Sequence, residues 1–93
     1  MKLVSVKPSP KPDKKYVATI SNGRTKQIHF GSKGSTTFVN GASNEKKQAY
    51  ISRHKVNENW SSVNPGSLSR FILWGSSRNM SSNIKTYKNK FNL

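Results

Sequence analysis

The side chains of this sequence that could do chemistry are concentrated in RHKVNENW, positions 53–60, which sets Arg53, His54, Glu58 and Trp60 within eight residues. General acid–base work asks for a pair of titratable groups with separate roles. The chain holds only three carboxylates. Asp13 lies in a lysine- and proline-rich stretch and Glu45 stands where a helix starts, so Glu58 is left alone. His29 and His54 are far apart in sequence, neither has an acidic cluster beside it, and there is no cysteine. A zinc site needs more ligands than that, and no nucleophile motif is present. The pattern predicts no enzyme, no metal and no cofactor. For the octapeptide it predicts a structural role: Glu58 pairs with Arg53 or Arg70, and His54 joins a half-buried polar cluster. The alternative is a phosphate or acidic side-chain contact by Arg53.

Charge is the stronger signal. Lys plus Arg number 17 against 3 Asp plus Glu, a formal net charge of +14, with an isoelectric point near 10.6. Such a chain repels itself. A polyanion relieves the repulsion, and nucleic acid is the usual one; an acidic neighbour in a large assembly is the other remedy. Basic residues occur in every segment. The candidate contacts to a polyanion or acidic surface are Arg24, Lys26, Lys46, Lys47, Arg53, Lys85 and Lys88. Exposed aromatics would help to bind single strands by stacking. In IKTYKNKF, however, Tyr87 and Phe91 fall on an apolar stripe and read as core. No zinc-finger or ribonucleoprotein motif is present.

These residues must be positioned by a small fold. The length, 93 residues, suits one domain. Only 31% of the residues are hydrophobic, a low share for a globular domain. The longest apolar run is four residues, Phe71 to Trp74, too short to span a membrane. Leu3, Val4 and Val6 make no secretory apolar stretch. Residues 1–15 carry five lysines and three prolines and read as an extended basic tail, with Lys2, Lys7, Lys11, Lys14 and Lys15 as its partner contacts.

YVATISNGRTKQIHFG, positions 16–31, reads as a hairpin turning at Asn22-Gly23. A three-residue loop at 21–23 puts Tyr16, Ala18, Ile20, Ile28 and Phe30 on one face. GSKGSTTFVNGA, 31–42, is a glycine-rich loop without P-loop spacing; Lys33 and Gly34 make a weak anion-binding candidate. A first helix is expected from 43 or 44 to about 55, with Glu45 favoured in its first turn. A second is expected at 68–74, capped by Ser67, with Pro65-Gly66 as the stop before it. A last helix is expected to be capped near Asn79, with Met80, Ile84, Tyr87 and Phe91 as its stripe. The second helix is apolar nearly all round and must be covered nearly all round. Phe71, Leu73 and Trp74 are its core or interface anchors, with Trp60 in the preceding segment, and any large apolar surface left uncovered would dock another subunit. The expected fold is α+β: a single domain over 16–93, an N-terminal hairpin on about three short helices, preceded by the tail.

Four pieces carry a resemblance: QIHFGSKG (27–34), KKQAYISRHKVNENW (46–60), PGSLSRFILWG (65–75) and IKTYKNKFNL (84–93). Together they resemble a family of small, basic, functionally uncharacterised proteins of the nucleocytoplasmic large DNA viruses. The positions that look like the family pattern are Arg53-His54, Glu58, Trp60, Gly66, Ser69-Arg70, Leu73-Trp74 and Phe91. The tail lies outside the resemblance, and the loop before the first helix carries an asparagine where an acidic residue is expected. The resemblance implies a viral setting: the virion capsid, with the cytoplasm or nucleus of the infected cell as the place of assembly. There a small basic protein without a catalytic set suits a minor capsid or cement role, bridging capsid or other virion proteins through its tail and surface. The alternative is a DNA-binding role that neutralises or packages the genome.

Overall fold

A three-stranded antiparallel sheet in the order β1-β2-β3 opens the chain. In the computed structural model, which describes residues 1–93, β1 is Lys2–Pro8, β2 Lys14–Ser21 and β3 Thr25–Ser32. A short 3₁₀ turn at Phe38–Asn40 leads to helix α1, Asn44–His54. Helix α2, Pro65–Leu68, runs directly into a π-helical segment, Ser69–Leu73, and α3 is Met80–Phe91. The architecture is the expected α+β single domain, with one addition that the sequence reading placed elsewhere.

That addition is β1. Residues 1–15 were expected to form a tail; residues 2–8 are instead a sheet strand. Leu3, 2% exposed, pairs with Ile20, 4% exposed. Val6 packs against the same core. The two residues are three apart, so strict alternation would send them to opposite faces. A shift in register between Leu3 and Ser5 resolves this: one extra residue, Val4, is accommodated and left 59% exposed. Pro8 ends the strand at the sheet edge, where a missing N–H costs least. The chain then turns back through 9–13. Ser9 Oγ shares a hydrogen bond with His29 Nδ1 at 2.7 Å, and Lys33 N–H donates to the Asp13 carbonyl.

The β2–β3 hairpin turns through three residues, as expected, but they are 22–24 rather than 21–23. Ser21 faces Thr25, Asn22 N–H donates to Arg24 O, and Gly23 takes φ +77. Moving the loop by one residue shifts each pair by two. An even shift keeps Tyr16, Ala18, Ile20, Ile28 and Phe30 on the core side.

Ser43 caps α1, accepting from Lys46 N–H. The second helix starts earlier than expected: Asn64 caps it, Pro65 occupies its first turn, and Ser67 completes a capping box. Proline suits that position because it presets φ and its missing N–H would be unpaired there anyway. Trp74 N–H then bonds Ser69 O, the five-residue spacing of a π turn. Leu68, Ile72 and Leu73 are completely buried and Trp74 is nearly so. The Trp74 ring stacks on Tyr50 of α1, while Phe71 packs against Tyr87 and Phe91 of α3. The apolar run is therefore the central element of the core, covered by the sheet, α1 and α3.

Candidate functional site

The sequence of α1 places Lys46, Tyr50, Arg53 and His54 at i, i+4, i+7 and i+8, one face of a helix. That face forms one wall of an open cleft of about 550 Å³. The 31–37 loop forms a second wall, the start of β2 contributes Lys14, and Pro65, Gly66 and Ser69 close the third side. Phe30, Tyr50 and Trp74 supply its apolar lining. The loop departs from the sheet at Gly31, where φ is +79 and a Cβ would come within 2.8 Å of Leu73 Cδ1. Only glycine lets the chain turn so close to the core.

The polar cluster at RHKVNENW exists, with different partners from those expected. Glu58 Oε2 meets His54 Nδ1 at 2.5 Å, and Glu58 Oε1 accepts from Trp60 Nε1–H at 2.9 Å. Neither Arg53 nor Arg70 pairs with it. Arg70 donates to the Trp74 carbonyl instead, and Arg53 stays exposed on the cleft. The His54 ring also stacks on Tyr50, centroids 4.2 Å apart. The cluster thus closes the 55–60 segment over the end of α1 and fixes one rim of the cleft. Burial pushes the Tyr50 phenol above its ordinary range, reinforced by the Glu58 carboxylate and opposed by Ser69 and Arg70.

His54–Glu58 is the only ion pair in the structure. Glu45 and Asp13 are exposed and unpaired. All 17 Lys and Arg side chains therefore lack a carboxylate partner. Of the basic candidates, Lys14, Lys46 and Arg53 come together at the cleft. Lys14, assigned to a tail by the sequence reading, is a strand residue. Lys2, Lys7 and Lys15 lie on the opposite, outer face of the sheet, paired or aligned with Ser21 and Val17. Lys11 is exposed in the returning turn, Arg24 is at the hairpin tip, and Lys26 stands across from Ile20. Lys85 and Lys88 are on α3, away from the cleft. Of the expected loop pair, Gly34 lines the cleft and Lys33 does not.

Lys47, next to Lys46 in sequence, points elsewhere. Its Nζ donates to Gly75 O at 2.7 Å and sits 4.4 Å from the Phe38 ring centroid, with Arg78 4.1 Å from the same ring. Lys47 is therefore not a loose surface side chain: it ties α1 to the end of the π segment. Asn83, which the sequence reading passed over, is 1% exposed. Its amide donates to Ile72 O and Ser77 O, and its carbonyl accepts from Ser77 N–H. Its polarity hid it among the apolar stripe of α3. No three His, Asp or Glu side chains converge as metal ligands.

Residues 4–54 match a family of unknown function, DUF5754. The chain belongs to this family. The match covers more than half of the 93 residues. It runs from β1 to the last residue of α1 and takes in Lys14, Lys46 and Arg53. It also takes in most of the stretch that the sequence reading set apart as a tail, in agreement with β1 being part of the domain. No curated protein and no solved structure matches the chain. No helix is long and apolar enough to cross a membrane.

Proposed function

We propose that this protein is a non-enzymatic nucleic-acid-binding protein that seats a phosphate backbone in the cleft between the 31–37 loop, α1 and α2. The observation that carries this reading is the meeting of Lys14, Lys46 and Arg53 at one cleft whose single carboxylate, Glu58, is engaged by His54 and Trp60 and pairs with none of them. Phosphates supply the missing charge, and each neutralised phosphate releases condensed counterions. Three contacts at the cleft alone contribute a log–log salt slope of about −2.7 on duplex and about −2 on single strands. The exposed lysines elsewhere steepen it. In the viral setting that the resemblance implies, the polyanion is the packaged genome.

The test is binding of the full chain to a labelled oligonucleotide across a salt series. A slope of several units, reduced by about two in a Lys46→Met/Arg53→Met double variant, supports the reading. A flat salt response would overturn it.

A minor capsid or cement role is the second reading, favoured by one feature. The outer edge of β1 has no strand beside it, and Val4 projects there 59% exposed. A neighbouring virion protein could add a strand to that edge. The lysines once assigned to a free arm no longer carry this idea, because the arm is folded. Fractionating virions into shell and genome core, then measuring the protein in each, separates the two readings.

A further inference from the structure

A second cavity, of about 300 Å³, opens on the other side of the π-helical segment. Ser69 and Trp74 line the cleft described above, whereas Arg70, Phe71 and Gly75 line this cavity. Three cations reach it from three elements: Lys47 from α1, Arg70 from the π segment and Lys90 from α3. Its lining contains no carboxylate. Ser76 and Thr86 add hydroxyls at the rim.

The cations are held rather than loosely gathered. Lys47 Nζ is fixed to Gly75 O at 2.7 Å and Arg70 Nη1 to Trp74 O at 2.9 Å. Lys90 Nζ lies 4.8 Å and Arg70 Cζ 5.1 Å from the Phe71 ring centroid. Arg70 Nε is buried and has no hydrogen-bond partner, which is costly for a charged donor. Burial holds Lys47 below its ordinary range, and the charges of Arg70 and Arg78 push it further down. Like charges fixed together around one cavity with no carboxylate among them describe a site whose counter-charge is a ligand.

We propose that this cavity binds a phosphate group, taken by Arg70, Lys47 and Lys90 against the Phe71 ring. A guanidinium fork matches phosphate oxygens in pairs, and the two ammonium groups complete the charge. The source is either free phosphate or the terminal phosphate of a strand. The inference is independent of the cleft, since no cation is shared between the two sites.

The test is calorimetric titration of the full chain with inorganic phosphate, then with a 5′-phosphorylated dinucleotide and its 5′-hydroxyl counterpart. Inorganic phosphate is expected to bind. Lys90→Met, at an exposed position, and Arg70→Lys, which keeps the charge but loses the fork, are each expected to weaken binding by about tenfold or more. The Lys46→Met/Arg53→Met cleft variant should bind phosphate as the parent does. Preference for the 5′-phosphorylated dinucleotide over the 5′-hydroxyl form assigns the site to strand ends. Equal affinity for the two assigns it to free phosphate. No phosphate binding, or unchanged binding in a folded Lys90→Met variant, overturns the proposal and leaves the cleft reading untouched.

Discussion

Leu3 lies directly across from Ile20, and both side chains are closed off from water. This pairing makes the N-terminal segment a structural strand, with consequences for truncation. Removing residues 1–8 strips Leu3 and Val6 from the core and leaves β2 as a new edge. Such a deletion is expected to unfold the domain, and Leu3→Ala alone to cost about 2–5 kcal/mol. Urea denaturation followed by circular dichroism measures both. A truncated chain with the parent's midpoint would restore the tail.

Trp74 stacks on Tyr50 with centroids 4.5 Å apart and 9° between the rings. Trp74→Ala removes that contact and a large buried volume, and is expected to cost about 3–5 kcal/mol. Loss of the cooperative transition, or a midpoint far below the parent's, is the expected result in the same denaturation experiment. A variant of parental stability that no longer joins a partner would make Trp74 an interface residue instead.

Gly75 and Gly34 make a contrasting pair. A Cβ at Gly75 would lie 2.4 Å from the Phe71 carbonyl oxygen and 2.6 Å from Asn83 Cγ. Backbone must move to admit it, and the Asn83 hydrogen bonds move too. Gly75→Ala is expected to cost about 2 kcal/mol or more. At Gly34 the space is open and only φ +89 opposes a side chain, so Gly34→Ala should cost about 1 kcal/mol. Equal melting temperatures for the two variants would contradict this account.

Alkaline titration tests the buried phenols. Burial raises Tyr50 and Tyr87 above their ordinary value of 10.0. The unfolded chain therefore gives up these protons first. Their contribution to stability is fully present below about pH 10 and is lost as pH rises through the folded-state values. Lys47 acts in the opposite sense: burial lowers it from 10.5, so its own contribution to stability improves as pH rises towards that value. Urea midpoints for Tyr50→Phe should fall less than the parent's between about pH 9.5 and pH 11, and those for Lys47→Met should fall more. Parallel profiles for all three proteins would show that neither group is linked to folding.

Local signals with short range were legible in the sequence. Ser43 and Asn79 cap their helices, Asn22-Gly23 turns the hairpin, and the 3.6-residue spacing on α1 and α3 sets their faces. The cleft was half legible: Lys46 and Arg53 were candidates by charge, and helical spacing aligns them, but nothing local tells Lys46 from Lys47. Their separation follows from a helix rotation of about 100° per residue, which turns one into the cleft and the other towards Gly75. Lys14 was legible only as a tail contact, because β1 lacks alternation, and a strand that needs a bulge leaves no period to detect.

What the sequence by itself determined is the charge, the α+β order of elements and the apolar run that had to be central. Those follow from composition and from neighbours a few residues apart. The tertiary structure alone decided that residues 2–8 join the sheet, that Glu58 answers His54 and Trp60 rather than an arginine, and that six of the unpaired cations gather, three to each of two cavities. Each of these depends on contacts between distant segments, where burial, donor geometry and the absence of a competing carboxylate choose the partner.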